Sequence, residues 1–350
     1  MNTLAQFGWT KQHQLDWEAL GLEGLQPARV VADFGTSLKL ATPEIITAEL
    51  SGKLAHYSTR DDTPKVGDWV AVRVLDNSAV VESVVLRSNE IARKVSGKRV
   101  LKQIFAANVD IAFVLLALDN DFSIERLKRF LFQLSADSIN AAIVLNKADK
   151  TDDVASYVAQ LEAFNLPIII SVATDDSNAD EIAALIKPAH TAILLGSSGV
   201  GKSTLTNKLL GREAQDTNTV RESDSTGKHT TVHRELFMLP NGGILIDTPG
   251  IRELQLWGTE EEIDANFDDI TQLALKCKYS NCRHADEKGC AVHKALANGM
   301  LDKKHYANYL KMKSEVLTLN KQRAARARLD NSRVRSSDAT RKYRFTSEDD

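Results

Sequence analysis

The sequence predicts an α/β protein in three parts: a doubly wound, mostly parallel sheet in the middle, a small OB-like β-barrel before it and a helical segment after it. Three observations carry this expectation. Between Val109 and Ile246, apolar runs of strand length alternate with stretches of helix length, as in sheets whose strands are buried on both faces. Between Pro27 and about Ile91, shorter β-branched runs are separated by turn residues, as in small antiparallel barrels. All three cysteines fall between Cys277 and Cys290, and such clustering suits a metal site better than disulfides.

Composition sets outer limits. At 350 residues the chain is long enough for two or three domains. The longest apolar run, Ile111 to Leu118, is far short of the roughly 20 residues needed to span a bilayer. The first residues, MNTLAQFGWTKQHQLDW, contain no continuous apolar stretch, so no secretory signal is expected and a cytoplasmic, monomeric protein is. Net charge is −3, but Lys321 to Arg344 holds nine Lys/Arg against Asp330 and Asp338. That segment is +7, which leaves −10 for the rest. A basic end on an acidic body suits a polyanionic partner, and equally a solvated tail.

In chain order, residues 1–26 form a helical or irregular lead-in and 27–92 the barrel. The barrel strands are expected at Ala28–Ala32, Ile45–Leu50, Val66–Leu75 and Ala79–Leu86, punctuated by Gly35-Thr36, Ser51-Gly52 and Asp76-Asn77-Ser78. Residues 93–107, charged and with a glycine at 97, are expected to be a linker. The α/β domain covers 108–257. Its strands are Val109–Leu118, Ala141–Leu145, Leu166–Val172 and Thr191–Leu195, with helices at Ser123–Ser135, Val154–Phe164 and Ala179–Ile186. After a helix at Thr204–Leu210, an Asn241-Gly242-Gly243 turn joins Thr231–Leu239 to Gly243–Ile246 and should add one antiparallel edge strand. A helical region follows at 258–320, then a basic segment at 321–350.

The chemistry is concentrated at strand ends. Thr191–Leu195 runs into Gly196-Ser197-Ser198-Gly199-Val200-Gly201-Lys202-Ser203-Thr204, a G-x-x-x-x-G-K-S loop between strand and helix. Such a loop aims backbone N–H groups and a helix N-terminus at phosphates. Lys202 would reach the β- and γ-phosphates, and Ser203 would bind Mg²⁺.

Asn146-Lys147-Ala148-Asp149 lies just past another predicted strand. The Asp149 carboxylate suits the N1–H and 2-amino donors of guanine, which adenine lacks. Asn146 can bind the purine's other edge, and the Lys147 stem can lie over the ring. Ser171-Val172-Ala173 matches a loop that offers N–H to guanine O6.

Asp247-Thr248-Pro249-Gly250 ends a third strand. Asp247 would hold Mg²⁺ through water, and the Gly250 N–H would touch the γ-phosphate. The polar stretch from Asp216 to Thr231 should supply a threonine to Mg²⁺, either Thr230 or Thr231, with Thr230 slightly favoured. Ile251 stands where many such enzymes carry a water-orienting glutamine, so intrinsic hydrolysis should be slow. His229 is a candidate for that task, and a solvated loop histidine is the competing reading.

The motif order is permuted, because N-K-A-D precedes the phosphate loop. The D-T-P-G switch therefore comes last and leads directly into the C-terminal region, on which the nucleotide state is expected to act. There, Cys277, Cys282, His284 and Cys290 form a closed Cys₃His set suited to one zinc ion, with His293 as a substitute ligand.

A barrel, a permuted set of nucleotide motifs and a Cys-Cys-His-Cys knuckle in this order resemble the ribosome small-subunit-dependent GTPase A (RsgA) family. The resemblance covers roughly residues 27–320 and includes Gly67-Asp68-Trp69-Val70 in the barrel. It implies a circularly permuted P-loop GTPase that binds the small ribosomal subunit late in its assembly and is stimulated by it. The barrel and zinc domains would contact ribosomal RNA. It also implies a hydrolytic role for His229, with Lys202 and Thr230 beside it, and makes Ile251 the family's hydrophobic replacement for glutamine. An alternative on the same residues is a GTP-gated binding module for another RNA or protein.

Overall fold

The computed structural model describes residues 3–57, 63–94, 102–119, 121–172, 178–211, 234–247, 259–284, 287–322 and 324. It falls into two compact units, residues 1–93 with 102–255, and residues 94–101 with 256–350.

The first unit begins with two short helices, α1 (Thr3–Gln6) and α2 (Lys11–Ala19). The barrel strands follow: β1 (Gln26–Asp33), β2 (Leu38–Ala41), β3 (Ile45–Leu50), β4 (Trp69–Val74) and β5 (Ser78–Val84), with helix α3 (Gly52–Tyr57) between β3 and β4. β1 pairs antiparallel with both β2 and β4, and β3 pairs parallel with β5, which closes the ring. Ala28, Val30, Leu40, Ala48, Val70, Val72 and Val81 fill its interior.

The segment expected to be a linker is structured at both ends. β6 (Glu90–Lys94) and β7 (Lys102–Ala107) pair as a two-stranded sheet. Just before them Arg87 grips the buried Asp68 carboxylate through two N–H groups at 2.7 and 2.8 Å. Charge at 87–90 suggests solvent from sequence alone, but here it is consumed by pairing.

The α/β part contains β8 (Ile111–Ala117), α4 (Ile124–Ala136), β9 (Asn140–Asn146), α5 (Val154–Leu161) and β10 (Ile168–Ile170). It continues with α6 (Ala179–Leu185), β11 (Thr191–Leu195), α7 (Lys202–Leu210), β12 (Arg234–Met238) and β13 (Ile244–Asp247). The strand order β10-β9-β8-β11-β13 is parallel throughout, and β12 is antiparallel to β13. Alternate residues of each strand face opposite layers. Val114, Leu116, Ile143, Leu145 and Ile193 pack with Leu127 and Phe130 of α4, whereas Leu115, Val144 and Leu194 pack with Ile182 of α6 and Leu205 of α7. This is the doubly wound sheet expected from the apolar runs.

One expectation is corrected. β12 is not an edge strand, because Ala32 and Asp33 of β1 pair with Glu235 and Arg234. The barrel covers the edge, so the hydrogen-bonded ladder runs through 11 strands and leaves no open rim on that side.

Arg29 anchors this junction. Its guanidinium is fully buried and donates to the Phe7 and Gly67 carbonyls, to the Asn108 carbonyl at 3.2 Å and to Thr191 Oγ1 at 2.8 Å, while lying over Trp69. Burial lowers its pKa to about 10, partly opposed by Asp110 and Asp68, so it stays charged at neutral pH. One side chain thus joins the lead-in, the barrel and the first residue of β11.

The second unit is helical: α8 (Glu260–Asn266), α9 (Asp268–Ala274), α10 (Ala291–Ala297) and a helix over 303–322. Thr259 and Glu262 form a capping box at the start of α8. Three glutamates in its first turn suit the positive end of the helix. Among the described residues no helix is long and apolar enough to cross a membrane.

Candidate functional site: a nucleotide cleft and a metal cluster

β11 is an interior strand of the parallel sheet, between β8 and β13, and is buried along its whole length. The phosphate loop leaves its C-terminal end. Gly196 has φ of +149°, and a Cβ there would stand 2.8 Å from the Leu115 carbonyl oxygen, so no larger residue fits without shifting the neighbouring strand. Gly201 (φ +103°) caps the start of α7, which opens with Lys202, Ser203 and Thr204. Ser197, Ser198 and Gly199 lie toward solvent, whereas Val200 is buried and packs in the core. Lys202 Nζ lies within the loop and donates to the Gly196 and Ser197 carbonyls at 2.7 and 2.5 Å.

The expected base-recognition loop leaves the end of β9, two strands away. Asn146 is buried, and its amide donates to the Val200 carbonyl at 2.6 Å. That contact ties this loop to the phosphate loop. Lys147 has a left-handed backbone (φ +60°) and an ion pair with Asp119 at 2.7 Å. Asp149 sits in a single 3₁₀ turn, half-exposed, beside Lys150 at 3.1 Å. Ser171 is buried and joins the same region, donating to the Leu145 carbonyl and accepting from the Ala148 N–H. Val172 follows it. Asp247 ends β13, the neighbour of β11 on the other side. The structure therefore brings Asn146, Lys147, Asp149, Ser171, the loop from Gly196 to Thr204, and Asp247 to the C-terminal edge of one parallel sheet. This is where open α/β sheets bind ligands. Ala173, His229, Thr230, Thr231, Gly250 and Ile251 lie outside the described residues.

Sequence reasoning missed the loop after β8. Asp121 accepts two N–H groups of Arg126, at 2.7 and 2.9 Å, and the Ser197 hydroxyl. The Lys147 ammonium holds Asp119 below the usual carboxylate range, and Arg126 does the same for Asp121, against a smaller opposing effect of burial. The available signal was two aspartates at the end of a buried parallel strand.

In the second unit, the ligand atoms of Cys277, Cys282, His284 and Cys290 all lie within 4.8 Å of one another. Cys277 Sγ and Cys290 Sγ are 3.9 Å apart, and His284 Nδ1 is 3.6 and 3.5 Å from them. A tetrahedral zinc with ordinary bond lengths requires about 3.8 Å between sulfurs and about 3.5 Å between sulfur and nitrogen, so the set fits the ion. Backbone N–H groups point at the sulfurs: Ala291 at Cys277 and His293 at Cys290, each at 3.3 Å. Burial pushes the Cys277 thiol up, but hydrogen bonds from the Ala291 and Val292 N–H groups and from Cys282 and Cys290 together outweigh it, and the thiol lies below its ordinary value. His293 meets the cluster through its backbone and is not one of the four clustered side chains.

A phosphate loop on an interior strand, an N-K-x-D loop and an acidic strand end beside it, in permuted chain order, define a circularly permuted P-loop GTPase. The RsgA GTPase family model matches residues 84–257. A protein of Opitutus terrae named small ribosomal subunit biogenesis GTPase RsgA is 37% identical over 328 residues, 89% of each chain. A Leptospira interrogans protein of the same name is 38% identical over 90% of this chain and 88% of its own. The chain belongs to the RsgA GTPase family, and it is a GTP hydrolase.

Among solved structures, YjeQ from Thermotoga maritima is 26% identical with a TM-score of 0.60, covering 84% of this chain and 99% of its own. YloQ, described as a circularly permuted GTPase, is 22% identical with a TM-score of 0.58 over 85% and 96% and supports the fold.

Proposed function

We propose that this GTPase binds the small ribosomal subunit through its RNA, acts late in the subunit's maturation in the cytoplasm, and hydrolyses GTP when the subunit stimulates it. The observation that carries this is the extent of the likeness. Relatives named for small-subunit biogenesis match about nine-tenths of the chain, barrel and cysteine region included, and not the GTPase part alone.

In this reading the N–H groups of Gly196 to Thr204 cradle the phosphates, and Lys202 neutralises developing charge at the γ-phosphate. Asn146, Lys147 and Asp149 select guanine, with Ser171, Val172 and Ala173 along its far edge. Ser203 and Thr230 ligate Mg²⁺, which supplies charge neutralisation at the phosphates, and Asp247 and Gly250 sense the γ-phosphate. His229 handles the attacking water. Cys277, Cys282, His284 and Cys290 hold one zinc ion, whose task is to fold the second unit.

Sedimentation through a sucrose cushion with isolated small subunits tests the partner. Bound to a non-hydrolysable GTP analogue, the protein should co-sediment with small subunits, and more weakly so with GDP. Binding should weaken with salt by about one log unit per log unit of salt for each phosphate neutralised. Failure to co-sediment in either nucleotide state contradicts the proposal.

A further inference from the structure

The loop between β8 and α4 belongs to none of the nucleotide motifs, yet it touches two of them. Asp119 accepts from Lys147 Nζ at 2.7 Å, and Asp121 accepts from the Ser197 hydroxyl. Its described residues are tied to one another and to their neighbours. Asp119 Oδ1 takes the Asp121 N–H at 2.9 Å, the Asp119 carbonyl takes the Phe122 N–H, and Leu118 donates to the Asn146 carbonyl at 2.8 Å. Arg126, in the first turn of α4, clamps Asp121 from behind. One short segment thus holds a side chain of the base loop and a side chain of the phosphate loop.

Folding energy does not account for these pairs. Lys147, Asp119 and Asp121 all keep about a third or more of their side chains exposed, and ion pairs so exposed add little stability. Orientation accounts for them better. A free lysine samples many rotamers, and pinning its ammonium confines the four-carbon stem to one path before the nucleotide arrives. Ser197 supplies one of the two carbonyls that receive Lys202, so fixing Ser197 also fixes where the phosphate-binding lysine starts.

We propose that Asp119 and Asp121 are positioning residues for the nucleotide. Asp119 sets the Lys147 stem as a platform for the guanine ring, and Asp121 sets the phosphate loop through Ser197. The loop after β8 thereby makes base recognition and phosphate-loop geometry depend on each other. This rests on the guanine-nucleotide reading of Asn146–Asp149 and Gly196–Ser203.

The test is equilibrium binding of a fluorescent GDP, with Mg²⁺, to the full chain. Asp119→Asn should weaken binding about tenfold, the size expected for losing a hydrogen bond to a charged group. In a Lys147→Ala background the same change should add less than about twofold, because its partner is already gone. Asp119→Glu should restore part of the loss. Asp121→Asn should behave in the same way against Ser197→Ala. A purely structural role would give losses that do not depend on Lys147 or Ser197. Asparagine is close to isosteric, circular dichroism at the assay temperature reports folding, and Asp119→Ser repeats the comparison if the first variant does not fold.

Wild-type affinity in Asp119→Asn, or an equal loss in both backgrounds, overturns the inference. If Lys147→Ala and Asp149→Asn both bind GDP as wild type does, the nucleotide-site reading itself fails and takes the inference with it.

Discussion

Replacing Asp149 with asparagine is expected to turn the site from guanine to xanthine nucleotides. The carboxylate accepts from two donors of guanine, N1–H and the 2-amino group. An asparagine keeps one acceptor and presents an NH₂ to the second position, where it meets the guanine amine donor against donor. Xanthine carries a carbonyl there, which the amide can serve. Sites that pair a buried polar group of the ligand reject the mismatched analogue by on the order of 10⁴, so GDP affinity should fall by several powers of ten. A fluorescent xanthosine diphosphate should bind Asp149→Asn at concentrations where wild type ignores it. The half-exposed position of Asp149 beside Lys150 leaves its oxygens reachable from the cleft. Competition binding with GDP, XDP and ADP reads the result, and unchanged GDP affinity in Asp149→Asn would mean that another residue selects the base.

Metal removal should have the other large effect, confined to the second unit. Its described residues, 259–284, 287–322 and 324, make a core of Ile263, Phe267, Ile270, Val292, Leu301, Met312, Val316 and a few neighbours. A domain this small is marginal by burial alone. A structural zinc site contributes about 10–16 kcal/mol of apparent binding energy at neutral pH, far above the stability of an ordinary small domain. Cys290 carries a double load, since its sulfur also caps α10 by accepting the His293 N–H. Metal analysis should find one zinc per chain. Strong chelators or Cys290→Ser should abolish hydrogen-exchange protection in 259–322 and leave GDP binding by the first unit intact. Full protection of 259–322 in the zinc-free chain or in Cys290→Ser would refute this.

Much of the site was legible because its signals are local. A strand, a glycine-rich loop and a helix in sequence dictate the phosphate cradle, and β11 and α7 lie within two residues of the expected limits. The permuted order was equally legible, and the sheet shows why it is harmless. β9, β11 and β13 end on one edge whatever order the chain visits them in.

What the sequence hid depends on tertiary neighbours. β2 is only four residues long, too short for an alternation to register. Arg29 sits in a β-branched run, where a charge suggests an outward face, but four acceptors and Trp69 surround it in the core. The pairing of β1 with β12 needs two domains to meet at an edge, which no local pattern announces. Asp119 and Asp121 gain their meaning only when loops after β8, β9 and β11 converge. The histidine and threonine expected to complete catalysis, His229 and Thr230, lie outside the described residues, so their roles rest on sequence and family.

The central claim is that hydrolysis in this cleft is slow alone and fast on its particle. An isoleucine at position 251 cannot orient water, so in the proposed function the ordering is assigned to His229 or to a group of the bound particle. The direct measurement is steady-state GTP turnover by the full chain with and without purified small ribosomal subunits, large subunits serving as the comparison. The rate should be low alone, unchanged with large subunits, and raised at least about a hundredfold with small subunits, a floor below the roughly 10³–10⁵ that a supplied arginine gives GTPases. The same slow rate with and without small subunits would contradict it.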